Sequence, residues 1–222
     1  MFNYQLCVYK NMQRNYLPIS SISMMGTCET KFLESVLGKQ KVTNLMKKGK
    51  EKHEELTEGL PQIKKGEVLE KIKSGIKCGF RELTVIDEKL KAIGRIDELQ
   101  FTGGFINNKR TATLIDDKYP KRVYDIMPLY YKLQLAAYTS AIHNSVDYSK
   151  ICVVTKAILL CRNYDHSIAK DFEVKKDELM SWEVNVPEVT DAAWEIFKNK
   201  KEPEHRRFDV SSSKWLECFC NR

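Results

Sequence analysis

A chain of 222 residues, 42% of them hydrophobic, is long enough to bury one sizeable core, and its 37 Lys and Arg against 30 Asp and Glu leave a net charge of +7, which favours a polyanionic partner without naming it. Met1 to Arg14 mix polar and basic side chains without the apolar stretch of a secretory signal, and apolar runs such as Ile151 to Val154 and Ala157 to Cys161 fall far short of the roughly 20 residues of a membrane span. Seven cysteines, an odd number without paired spacing, speak for free thiols or a metal cluster over a disulfide framework, so one intracellular, non-membrane domain over 1–222 is expected.

In chain order, the Ser20, Ser21, Ile22, Ser23 stretch after Pro18 offers helix N-caps. Phe32, Leu33, Val36 and Leu37 then form a helical stripe that ends at Gly38. From Val42 to Leu60 the apolar positions Val42, Leu45, Met46, Leu56 and Leu60 recur at helical spacing, with His53 on the apolar side and Lys47, Lys48 and Lys50 mostly elsewhere. A basic, Gly-containing connection runs through Gly79. Arg81 to Ile86 and Lys89 to Leu99 alternate as half-buried strands, and Thr111 to Lys118 reads as a third strand after a turn carrying Gly103, Gly104, Asn107 and Asn108. A helix from about Ile126 to Ile142 tolerates Pro128 in its first turn and places Leu129, Leu133, Ala136, Ala137 and Ala141 on its inner face. Strands follow at Ile151 to Arg162 and Ser167 to Val174, and a last helical region spans Lys176 to Lys200, broken near Pro187. Helices, three strands, helix, two strands and helix predict an α/β fold with a central mixed sheet flanked by helices.

Strand periodicity puts Asp116 and Lys118 on one face of the third strand and Asp117 on the other. Asp97, near the end of the preceding strand, lies beside them if the two strands pair. Two converging carboxylates repel unless a cation neutralises them, and hard oxygen ligands suit Mg2+ or Mn2+. Such an ion polarises a phosphate and acidifies bound water, with Lys118 to orient that water or neutralise charge on phosphorus. Phosphodiester hydrolysis is the simplest reaction to follow. His53 supplies a further ligand if its helix packs over the strand ends. Gln134 and Tyr138, four residues apart, share a helix face. The amide can bond Lys118, water or phosphate, and the phenol can reach phosphate or stack on a base. Taken singly each signal reads as ordinary packing or a strand end; the ordered set carries the reading.

The order His53, Gly94 with Asp97, Asp116 with Lys118, then Gln134 with Tyr138 resembles the RecB-like nucleases of the PD-(D/E)XK superfamily, whose motifs run helix histidine, G-x-x-D, (D/E)-x-K and Q-x-x-x-Y. The resemblance implies a restriction-endonuclease-like core cutting DNA, with a preference for single-stranded ends. It implies a metal on His53, Asp97, Asp116 and the main-chain carbonyl of Asp117, with Lys118 as catalytic lysine and Gln134 and Tyr138 completing the site. Leu17-Pro18-Ile19-Ser20 and Cys28-Glu29-Thr30-Lys31-Phe32 resemble the CRISPR-associated exonuclease branch. That branch holds an iron–sulfur cluster on one early cysteine and three near the carboxyl end. Cys28, Cys218 and Cys220 match, but Trp215 stands where a further cysteine is expected, so Cys7 or Cys161 would complete the set or the cluster is absent. A cluster would tie the first helical region to the tail.

Two other readings compete. A DNA-binding or assembly subunit that retains the fold without cutting, such as a partner of CRISPR integration proteins or a recombination subunit, fits the basic charge equally. A cysteine-based zinc module is disfavoured because Cys218 and Cys220 lack the paired spacing of structural zinc sites.

Overall fold

The computed structural model describes residues 15–39, 43–57, 65–120, 122–163, 169–199, 201–218 and 220, without the side chains of Leu45, His53, Leu56, Thr57 and Lys65. The elements in order are β1 (Leu17–Pro18), α1 (Ile19–Ile22), a 3-10 turn (Ser23–Gly26), α2 (Glu29–Val36), α3 (Asn44–Thr57), α4 (Lys65–Lys73), β2 (Cys78–Asp87), β3 (Ala92–Ile106) and β4 (Lys109–Lys118). There follow α5 (Leu129–Asn144), β5 (Cys152–Arg162), β6 (Ala169–Lys175), α6 (Lys176–Glu183), α7 (Val186–Lys198), β7 (Arg206–Asp209) and β8 (Lys214–Glu217). The mixed α/β architecture expected from the sequence is the one observed.

Its centre is a six-stranded sheet in the order β1-β3-β4-β5-β6, with β2 also paired to β3. The hairpins β2–β3, β3–β4 and β5–β6 are antiparallel, whereas β4 and β5 run parallel, the return between them being made by α5. β2 occupies one edge of β3 from Ala92 to Phe101. On the other edge β1 pairs only with Ala92 and Ile93, and β4 joins from Glu98 onward. Gly94 to Asp97 thus lie where that edge of the ladder is interrupted, which leaves room for a side chain to take the place of a strand neighbour.

Helix α5 is buried from Leu133 to Ile142 because it is wrapped on all sides: by β2, β3 and β5 on the sheet, and by α1, the 3-10 turn, α6 and α7 beyond it. Its Ala136, Ala137 and Ala141 let the sheet come close. Gly94 shows how close: a Cβ there would overlap the Tyr138 ring and stand 2.9 Å from Ile19 Cδ1. The glycine of the G-x-x-D stretch is needed for this approach. Gly26 plays the same part on the helix's outer side, where a Cβ would lie 3.1 Å from Tyr130 Cα. Buried Asp87 anchors the far end of α5 by accepting from Ser140 Oγ at 3.0 Å and Asn144 Nδ2 at 2.8 Å.

Several elements depart from expectation. The β3–β4 turn is only Asn107–Asn108, both at positive φ (49° and 61°), the left-handed pair of a two-residue hairpin that Asn accepts. Gly103 and Gly104 belong to β3, where the register shifts between Phe101 and Phe105 and Gly103 takes φ 93°. The basic connection contains α4, whose Val68 and Ile72 are buried; two apolar positions in a Lys- and Glu-rich stretch were too thin a stripe to read. Arg110 fastens α4 to the sheet by donating to the carbonyls of Ile72 and Ile76, each at 3.1 Å. Ser20 to Ser23 do not cap by side chain; Pro18 precedes α1, while Ser23 Oγ bonds back to the Ser20 carbonyl at 2.7 Å. As Pro187 implied, the last helical region is two helices, with Pro187 in the first turn of α7. Beyond it the tail forms the β7–β8 hairpin, four-residue strands too short for periodicity to reveal. No helix among the described residues is long and apolar enough to cross a membrane. Val42 and Leu60 fall outside the described residues.

Candidate active site and cysteine–histidine centre

The interruption in β3 and the end of β4 form the first candidate site. Just past the Glu98–Ile115 pair, the Asp97 side chain turns across to β4, where its Oδ2 accepts the backbone N–H of Asp117 at 2.8 Å. One carboxylate oxygen does the work of a missing strand carbonyl. Asp116, two residues before Lys118 and on the same face, puts Oδ2 2.6 Å from Lys118 Nζ. Asp97, Asp116 and Lys118 are therefore brought together.

Electrostatics mark this group. Burial pushes the Asp116 carboxyl up to about 7; the Lys118 ammonium opposes the rise and the Asp97 carboxylate adds to it. For Lys118 burial disfavours the charge, but Asp116 and Asp97 outweigh it and hold its pKa above the usual value. Asp116 Oδ2 is buried, and the Lys118 ammonium is its close neighbour. An interior carboxylate beside a second carboxylate is a donor set that suits a hard divalent cation.

Asp117 faces the opposite side of the sheet. Arg162 Nη1 donates to its Oδ1 at 3.2 Å and Arg81 Nη1 stands 3.9 Å from its Oδ2. Only its backbone belongs with Asp97 and Asp116. Gln134 Nε2 donates to Tyr138 Oη at 3.3 Å, and both side chains are buried, 5% and 4% exposed. They pair with each other in the part of α5, Leu133 to Ile142, that is buried. His53 lies on α3, and its side chain is outside the described residues. The backbone of that helix approaches the end of β4 one turn earlier, where a Cβ on Gly49 would lie 4.0 Å from Tyr119 Cβ.

An aromatic wall beside Lys118 escaped the sequence reading. The Lys118 ammonium sits 5.4 Å from the centre of the Tyr131 ring. Tyr130 and Tyr131 have ring centroids 4.2 Å apart, and Tyr124 meets Tyr131 edge-on at 5.9 Å. Tyr124 Oη and Tyr130 Oη share a 3.3 Å hydrogen bond, and burial raises the pKa of both Tyr130 and Tyr131. The adjacent tyrosines opening α5 were the available signal; two neighbours on a helix point in different directions, so spacing alone did not pair them with Lys118.

The second candidate centre joins the 3-10 turn and α2 to the C-terminal hairpin. Cys28, His205, Cys218 and Cys220 bring their donor atoms within 4.8 Å of one another. Cys220 Sγ lies 3.3 Å from Cys28 Sγ, His205 Nδ1 is 3.3 Å from Cys220 Sγ, and the sulfurs of Cys218 and Cys220 are in disulfide contact. Alongside, buried Glu29 accepts the N–H of Glu204 at 2.8 Å and pairs with Arg206, and the Cys218 N–H bonds the His205 carbonyl at 3.0 Å. Phe208 meets Trp215 edge-on at 5.2 Å beneath the hairpin. The three cysteines expected to converge do so, and the group can hold a metal. The fourth member is His205, not Cys161, which lies in β5 opposite Lys118; Cys7 is outside the described residues.

No family model matches the sequence, and no curated protein matches it significantly. Among solved structures, the chain is similar to SSO0001 at 15% identity, covering 92% of this chain and 89% of that one with a TM-score of 0.45. It is also similar to LHK-Exo, solved in complex with dAMP, at 14% identity, covering 85% of this chain and 94% of that one with a TM-score of 0.39.

Proposed function

We propose that this chain is a metal-dependent deoxyribonuclease of the RecB-like PD-(D/E)XK type, acting on DNA with single-stranded ends. The observation that carries the reading is the meeting of Asp97, Asp116 and Lys118 at the interrupted edge of β3. The Asp97 and Asp116 carboxylates, with His53 and the main-chain carbonyl of Asp117, would hold Mg2+ or Mn2+. When bound, the ion supplies a polarised phosphate and an acidified water.

The remaining work falls to the chain's own groups. Lys118, kept protonated by its two acidic neighbours, carries a positive charge to the place where negative charge develops on the phosphoryl oxygens. Its ammonium also has donors to spare for a phosphate oxygen or the attacking water. Asp97, fastened to the Asp117 N–H, is held against β4 so that the two acids keep a fixed spacing. Gln134 and Tyr138 act as positioning residues: their mutual hydrogen bond and the seat of Tyr138 on Gly94 set the height of α5 above the strand. Tyr124, Tyr130 and Tyr131 offer aromatic rings beside Lys118 on which unpaired bases can stack. Net charge of +7 favours capture of the polyanion.

The test is incubation of the purified chain with end-labelled single- and double-stranded DNA, with Mn2+ and with chelator. Metal-dependent shortening, faster on single strands, is the expected result. Salt-sensitive DNA binding without cutting under any metal would overturn the proposal and leave a binding or assembly subunit in its place.

A further inference from the structure

We infer that Cys28, His205, Cys218 and Cys220 form a closed tetrahedral site for a single zinc ion, with His205 as the ligand that makes a four-cysteine cluster unnecessary. This inference does not rest on the nuclease reading.

Three observations support it. The first is the donor set. An iron–sulfur cluster is normally held by four thiolates, whereas this group offers three and an imidazole, the Cys3His combination of structural zinc sites. The second is spacing. Zn–S and Zn–N bonds of about 2.3 and 2.0 Å in tetrahedral geometry separate neighbouring donors by roughly 3.5–3.8 Å. Here all four donor atoms fall within 4.8 Å, with two of the separations at 3.3 Å. A cubane, whose ligands bind different irons, needs its sulfurs farther apart. The third is surplus. A bond between Cys218 and Cys220 alone gives no reason for a third thiol and a ring nitrogen to gather on the same sulfur, but an ion in their midst engages all four. In the thiol form the three cysteines would release their protons to solvent as the ion binds.

The position gives the ion a structural task. Cys28 directly precedes α2 and follows the 3-10 turn, its N–H bonded to the Met24 carbonyl at 2.8 Å. His205, Cys218 and Cys220 flank the two strands of the C-terminal hairpin. One ion therefore joins segments 192 residues apart, reinforcing the pair between buried Glu29 and half-buried Arg206. It also fixes the turn whose Gly26 backs onto Tyr130. With all four positions filled by protein, no open position is left for a substrate.

The full chain, expressed with iron and zinc both supplied and purified anaerobically, is assayed for metals, acid-labile sulfide and the Cys218–Cys220 peptide by mass spectrometry. The expected result is one zinc per chain, colourless protein and no sulfide. His205→Ala and Cys28→Ser should each lose the zinc and lower Tm by more than about 5 °C, while His205→Cys should keep it. Stoichiometric iron and sulfide would overturn the inference, as would a metal-free chain with Cys218 disulfide-linked to Cys220, or full zinc retention by His205→Ala. Should the variants fail to fold, Co2+ added to the chelator-treated wild type decides: tetrahedral bands with thiolate charge transfer support the site, and an octahedral spectrum removes it.

Discussion

The two candidate centres are built in opposite ways. Asp97 and Asp116 are hard oxygen donors on neighbouring strands, with the Lys118 ammonium beside them, where pleat and hairpin pairing dictate who meets whom. Cys28, His205, Cys218 and Cys220 are softer donors drawn from opposite ends of the described chain, brought together where the 3-10 turn and Glu29 at the start of α2 meet the C-terminal hairpin. In the first, Asp116 is buried and Lys118 half-buried; in the second, Cys28 and Cys218 are buried while His205 and Cys220 are exposed. Local geometry supports a reactive site whose spacing must hold, while long-range convergence supports a clip whose loss should be felt in stability before chemistry.

Several experiments would break or sharpen that contrast. The largest effect is expected from Lys118→Ala or Asp97→Ala, each lowering cleavage by about 10³-fold or more, the scale of removing a charge-stabilising group, with DNA affinity little changed and zinc content untouched. Retained cutting by both variants would dissolve the strand-based site. Gly94→Ala comes next, because the new methyl must displace the Tyr138 ring and Ile19. Overpacking of this kind costs about 1–3 kcal/mol, readable as a lower urea midpoint. An unchanged midpoint would mean that α5 does not depend on this close approach.

Acidity should separate the centres more gently. Asp116 is raised to about 7 by burial, against about 3.9 in an unfolded chain. The fold therefore favours its protonated form; that advantage is present at acid pH and is lost as pH climbs through 7. Divalent binding needs the carboxylate, so Mn2+ affinity, followed by calorimetry, should fall about tenfold per pH unit below 7 from this group alone. A flat profile from pH 8 to 6 would remove Asp116 from the ligands. The smallest effect is expected from Tyr131→Ala. Loss of one stacking ring, worth about 1 kcal/mol at the low end, should weaken single-stranded DNA binding about fivefold and leave duplex binding alone; equal losses on both would point to packing.

Sequence periodicity made the strand-based site readable. Asp116 and Lys118 share a face because side chains alternate, and Asp97 follows once the β3–β4 hairpin is assumed. The α5 stripe likewise announced a helix with an inner face. It could not say that Gln134 and Tyr138 would be enclosed, because that depends on the 3-10 turn, α6 and α7 covering the side away from the sheet. His205 was invisible for a related reason: it has no paired spacing with Cys218 or Cys220, and nothing local distinguishes it from any exposed histidine. The tyrosine wall and the β7–β8 hairpin were missed because two adjacent rings and four-residue strands leave no period to detect.

Asp116 and Lys118 are separated by two peptide units of one strand, so their common face is set by the pleat and does not wait on docking of distant elements. The pair travels as a cassette. Drift in loops, caps or surface charge can reshape what reaches it without altering its internal ruler. Asp97 is coupled to that cassette through a hydrogen bond to the Asp117 N–H, and this is the joint at which the site can be tuned or uncoupled.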